Sequence, residues 1–70
     1  MRAAAAIVWK QEDGTPVACR EKLEILNENH AELCHVMQDA FDDAILMGVE
    51  EAFLRTLFAG LAAGLKTPKA

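Results

Sequence analysis

The chain has 70 residues, a formal net charge of −4 and 53% hydrophobic residues, which is enough for one small domain with a limited core. Non-specific binding to nucleic acid or to an anionic membrane is not expected, because both require a basic protein surface. The opening apolar segment lacks a signal-peptide pattern, and no apolar run approaches the roughly twenty residues of a membrane span. We therefore expect a cytoplasmic protein with no nucleic-acid or membrane partner.

Residues 1–15 are predicted to form an N-terminal arm on a single domain that covers residues 1–70. Residues 7–9 favour β-structure and Asp13-Gly14 is a turn signal, so the arm is either a short β-hairpin or an extended segment. Trp9 is the only tryptophan. Because so large a side chain buries much area, we expect it to anchor the arm on the surface of a helix.

A long helix is predicted over about residues 16–47. Thr15-Pro16 suits a helix start, with threonine as the cap and proline in the first turn, and the helix should begin between residues 16 and 20. Gly48 should end it in the left-handed conformation. Apolar or small residues recur at alternating steps of four and three, which places them along one side of the helix. This seam comprises Cys19, Leu23, Leu26, His30, Leu33, Met37, Ala40, Ala44 and Met47.

A second helix is predicted over about residues 50–66, opened by Glu50 and Glu51, whose charges suit a helix N-terminus. The short link makes the two helices antiparallel, so the fold class is an all-α helical hairpin. Gly60 and Gly64 cost helix stability and are expected where another backbone approaches closely. The predicted hairpin core consists of Met37, Phe41, Ala44, Ile45, Leu54, Leu57, Phe58 and Leu61.

The second helix is too short to cover the whole first helix. Either the arm or a second copy of the chain must cover the remaining apolar residues, and a homodimeric four-helix bundle satisfies the pattern economically. The predicted dimer interface consists of Cys19, Leu23, Leu26, His30 and Leu33.

Potential metal ligands occur in the middle of the long helix, where His30 and Cys34 share a face and Glu32 is followed three residues later by His35. Di-iron bundles use Glu-x-x-His, but they also need glutamates on the facing helices, which the second helix supplies only at its tip. We therefore assign no metal or other cofactor. No arrangement of a nucleophile with a base is present, so no catalytic residue is assigned. An intrachain bridge between the two cysteines is excluded, because fifteen helical residues separate them by more than about 20 Å.

Carboxylates gather where the two predicted helices meet. They either form a solvated polar face or dock a basic protein partner, and three of them lie near the negative end of the first helix dipole. The sequence thus predicts a small homodimeric interaction or accessory protein, with a metal-binding or redox-responsive bundle based on His30 and Cys34 as the alternative. The acidic face consists of Asp39, Asp42, Asp43, Glu50 and Glu51.

Overall fold

A computed structural model of the chain describes residues 6–68. It contains two α-helices, α1 from Arg20–Leu46 and α2 from Glu51–Ala63. Within residues 6–68 no β-strand is present, which confirms the predicted all-α class. The chain divides into two compact units, Met1–His35 and Val36–Ala70. They are called here the N-terminal unit and the C-terminal unit, and each is described by itself.

The arm of the N-terminal unit contains a tight turn. The amide of Gly14 donates to the carbonyl oxygen of Gln11 over 2.9 Å, and the amide of Gln11 donates to the carbonyl oxygen of Thr15 over 2.8 Å. Gly14 has φ = 87°, a left-handed conformation that glycine adopts without a steric penalty. The turn predicted at Asp13-Gly14 is therefore confirmed.

The short β-hairpin does not form. Lys10 and Pro16 make one isolated antiparallel bridge in place of two paired strands. Proline has no N–H to donate to a ladder, and α1 begins only four residues later. The return segment is therefore too short for a strand, and residues 6–15, the described part of the arm, contain one turn and no strand.

The first helix begins at Arg20, at the C-terminal limit of the predicted range of residues 16–20, and Thr15 does not cap it. The hydroxyl and the amide of Thr15 both donate to Asp13 Oδ1, over 2.7 and 3.0 Å. The Thr15 hydroxyl oxygen also accepts from Gln11 Nε2 over 3.0 Å, so the turn occupies the atom that would have capped a helix. The first helical bond instead runs from the amide of Leu23 to the carbonyl oxygen of Cys19, over 3.0 Å. Local hydrogen bonding by threonine competes with helix formation in this way.

The end of α1 follows the prediction. Gly48 has φ = 95°, and its amide donates to the carbonyl oxygen of Ile45 over 3.0 Å. The amide of Val49 donates to the carbonyl oxygen of Ala44 over 3.0 Å. These two bonds define a Schellman motif, which satisfies the last carbonyl groups of a helix.

The second helix ends three residues before the predicted boundary at residue 66. Gly64 follows its last residue, and the amide of Gly64 donates to the carbonyl oxygen of Gly60 over 2.9 Å. Two glycines so close together lower the helix propensity by about 1 kcal/mol each, which explains the early end.

In the C-terminal unit, α2 packs on the last turns of α1. The rings of Phe41 and Phe58 meet edge to face with their centroids 6.1 Å apart. Phe41 lies near the end of α1, whereas Phe58 lies past the middle of α2. The second helix therefore folds back along the first, which is the packing expected of a helical hairpin. Leu54 is buried at 3% exposure.

Candidate functional site

Trp9 joins the arm to α1 in the N-terminal unit. Its indole Nε1 donates to Asn27 Oδ1 over 2.8 Å, and its ring meets the His30 ring edge to face at a centroid distance of 6.1 Å. The predicted role of Trp9 as an anchor is confirmed. Sequence reasoning missed Asn27, although its position three residues before His30 places both on one face of a helix.

The predicted dimer-interface residues all lie in the N-terminal unit. Leu23, Leu26 and His30 are half-buried, whereas Cys19 and Leu33 are exposed. Trp9 contacts the same helix at His30, so the arm already occupies part of this face. The dimer interface on this face stays a prediction.

The structure brings together two of the four candidate metal ligands. Cys34 Sγ lies 3.6 Å from His30 Nε2 and 3.8 Å from His30 Nδ1, so the thiol and the imidazole are in hydrogen-bonding contact. Glu32 and His35 are both exposed. In the part of the chain that the structure describes, no three His, Cys, Asp or Glu side chains lie close enough to hold a metal ion.

The predicted hairpin core divides into two groups. Leu54 is buried, and Phe41, Ala44, Ile45 and Phe58 are half-buried. The exposed members of the predicted core are Met37, Leu57 and Leu61.

Arg55 lies over the ring of Phe41. Its Cζ lies 4.9 Å from the centroid of the Phe41 ring, and its Nε lies 3.0 Å from Glu51 Oε2. A guanidinium over an aromatic face adds a cation–π attraction. The only sequence signal for this role is that Arg55 precedes Phe58 by three residues, which places it beside the helix face that packs on α1.

The acidic residues are all exposed and belong to the C-terminal unit. Asp42 accepts a hydrogen bond from Gln38 Nε2 over 2.8 Å, and Glu51 pairs with Arg55. The last turn of α1 contains no basic residue, so its carboxylates add to the negative end of the helix dipole instead of offsetting it. The end of α1 is therefore locally negative.

The hydrogen bonds of the turn hold Asp13 in its ionised form. The hydroxyl of Thr15 donates to its carboxylate, and the backbone amide of Thr15 does the same. These bonds favour the ionised form and hold the pKa of Asp13 below its ordinary value of 3.8. Asp13 therefore stabilises the turn as a carboxylate.

Comparison of the chain with models of protein families, with curated proteins and with solved structures found no match in any of the three. Across residues 6–68, neither helix combines the length and the apolar character that crossing a membrane requires.

Proposed function

We propose that the chain is a small cytoplasmic interaction or accessory protein that acts as a homodimer and docks a basic protein partner through the acidic face. The observation that supports dimerisation is the burial pattern. Of the large apolar side chains that the structure describes, Leu54 is buried, whereas Phe53, Leu57 and Leu61 are exposed. Each large apolar side chain contributes about 1.5–3 kcal/mol when it is fully buried, so association would stabilise a chain of this size substantially.

The proposed dimer is a four-helix bundle of two antiparallel hairpins. The packing of α2 on the end of α1 through Phe41 and Phe58 supports the hairpin. Sedimentation equilibrium at micromolar concentrations tests the dimer directly. A monomer at all concentrations would remove it.

The acidic face supports the proposed partner class. Asp42 and Asp43 are exposed at the end of α1, where the helix dipole reinforces their negative potential. A lysine-rich or arginine-rich segment is the complementary ligand, because it gains from both the carboxylates and the dipole.

A defined basic peptide tests the docking site. We expect the Asp42→Lys, Asp43→Lys variant to bind an arginine-rich peptide at least tenfold more weakly than the parent, measured by fluorescence titration. The Glu21→Lys, Glu24→Lys variant is the matched control, since it makes the same charge change in the N-terminal unit. An equal loss in both variants would mean that net charge alone attracts the peptide, and the docking site would be rejected.

The second candidate function is a metal-binding or redox-responsive bundle, which the contact between His30 and Cys34 favours. Metal analysis of protein purified without a chelator discriminates the two candidates. Stoichiometric metal that is lost in both His30→Ala and Cys34→Ser would favour the metal-binding candidate over the accessory protein.

A further inference from the structure

One side of the C-terminal unit is apolar and is formed by both helices. Its residues on α1 are Val36 and Met37, exposed at 59% and 42%, together with Ala40. Its residues on α2 are Phe53, Leu57 and Leu61, of which Phe53 and Leu61 are exposed at 58% and 65%. We call this surface the apolar side.

Helix geometry places these two groups on the same side of the hairpin. Each residue turns about 100° around a helix axis. Measured around α1 from Phe41 in one direction of rotation, the angle is about 40° for Met37, 100° for Ala40 and 140° for Val36. On α2, Leu61, Leu57 and Phe53 lie about 60°, 100° and 140° from Phe58 in the same sense. Phe41 and Phe58 face each other. When two antiparallel helices face each other, residues that are rotated in the same sense from the two facing positions lie on the same side of the pair.

The opposite side of the same unit carries polar residues close to the contact between the helices. By the same geometry, Gln38 and Asp42 are rotated from Phe41 in the other sense, by about 60° and 100°, and Arg55 is rotated by about 60° from Phe58. These residues are already paired, Gln38 with Asp42 and Arg55 with Glu51. Two copies can therefore bring their apolar sides together without placing Asp42 or Glu51 at the contact. Asp43 lies at its edge, about 160° from Phe41 in the sense of Val36, and the net charge of the chain is −4.

The exposed area, if it is buried completely, reaches the minimum that a dimer requires. The exposed parts of Val36, Met37, Phe53, Leu57 and Leu61 amount to roughly 500 Å² per copy, so two copies would bury about 1,000 Å², the lower limit of a specific interface. Gly60 lies beside them on α2, and beyond the backbone of its own helix a Cβ built on it would meet no atom of the chain within 4 Å. The packing of the chain on itself therefore does not require this glycine, whereas close approach of a second backbone would.

We propose that the apolar side is the surface through which two copies of this chain pair into a four-helix bundle. This inference rests on the homodimer of the proposed function and specifies its surface. It moves the main contact from the interface predicted on the N-terminal half of α1, where Trp9 already packs, to the side of the C-terminal unit.

Sedimentation equilibrium of the parent and three variants tests the surface. We expect Leu61→Glu to raise the Kd of the dimer at least tenfold, because it places a carboxylate in an apolar contact, while circular dichroism shows unchanged helix content. The matched control is Ile25→Glu, which adds the same charge at a residue of the N-terminal unit that is exposed to a similar extent, 59%. We expect it to leave the Kd within about twofold of the parent.

Gly60→Ala is the more discriminating variant. Alanine is the better helix former, and the added methyl group has space within the single chain, so a monomer should tolerate it or gain stability. If a second backbone lies against Gly60, the same methyl group should weaken the dimer severalfold.

The outcomes separate the two proposals. A parent chain that is monomeric throughout would overturn the homodimer and this surface together. A dimeric parent whose Kd is unchanged by Leu61→Glu and by Gly60→Ala would overturn only the surface. Equal weakening by Leu61→Glu and Ile25→Glu would also overturn it, because added charge would then explain the loss.

Discussion

Phe41→Ala should be a strongly destabilising substitution for the C-terminal unit. The Phe41 ring contacts Phe58 edge to face at 6.1 Å and carries Arg55 at 4.9 Å on its face. Phe41 thus links α1 to two residues of α2. Alanine would remove both contacts at once and leave Phe58 without its aromatic partner.

The expected magnitude is the sum of three contributions. A half-buried phenylalanine contributes about 1–1.5 kcal/mol, since full burial contributes about 1.5–3 kcal/mol. The edge-to-face pair with Phe58 adds about 0.5–1.5 kcal/mol. Because the Arg55 side chain is 66% exposed, its cation–π attraction adds only about 0.5–1 kcal/mol. The free energy of unfolding should therefore fall by about 2–4 kcal/mol.

Thermal unfolding followed by far-UV circular dichroism measures this loss. In a domain of this size, each kcal/mol corresponds to about 4–8 °C, so Phe41→Ala should lower the Tm by about 10 °C or more at a fixed protein concentration. Leu46→Ala is the control, because Leu46 is 85% exposed and should change the free energy of unfolding by less than about 0.5 kcal/mol. If the two variants melt at the same temperature, the packing of α2 on Phe41 does not stabilise the unit and the reasoning is wrong.

Three further predictions follow from local contacts. Asn27→Ala removes the acceptor of the Trp9 indole bond. The fluorescence of the single tryptophan should then shift to longer wavelength, because its ring becomes more hydrated. An unchanged spectrum would show that the position of the arm does not depend on this bond. Gly48→Ala should lower the free energy of unfolding, measured by urea titration, by about 1–2 kcal/mol, because a residue with a Cβ is strained at φ = 95°. An unchanged free energy of unfolding would mean that α1 can end in another conformation. The pKa of Asp13 is lowered in the folded chain, so its contribution to stability is present above its ordinary value of 3.8 and is lost as the pH falls through the lowered pKa. Thr15→Val removes the hydroxyl donor and should raise the pKa of Asp13 in an NMR titration, whereas an unchanged pKa would show that the hydroxyl is not its cause.

The sequence by itself determined the features that depend on local backbone chemistry. The turn at Asp13-Gly14 and the end of α1 at Gly48 were predictable because both glycines take positive φ, which other residues rarely adopt. The long helix was predictable because its apolar residues repeat with the period of a helix. Such signals lie within a few residues of the feature that they specify.

The tertiary structure decided which parts of the apolar face are covered. Helical periodicity spreads apolar residues over a wide sector of each helix, and only contact with a neighbour selects Leu54 for burial and leaves Leu57 exposed. Trp9 contacts Asn27 and His30, which follow it by 18 or more residues in the sequence. No local sequence pattern specifies contacts between residues so far apart.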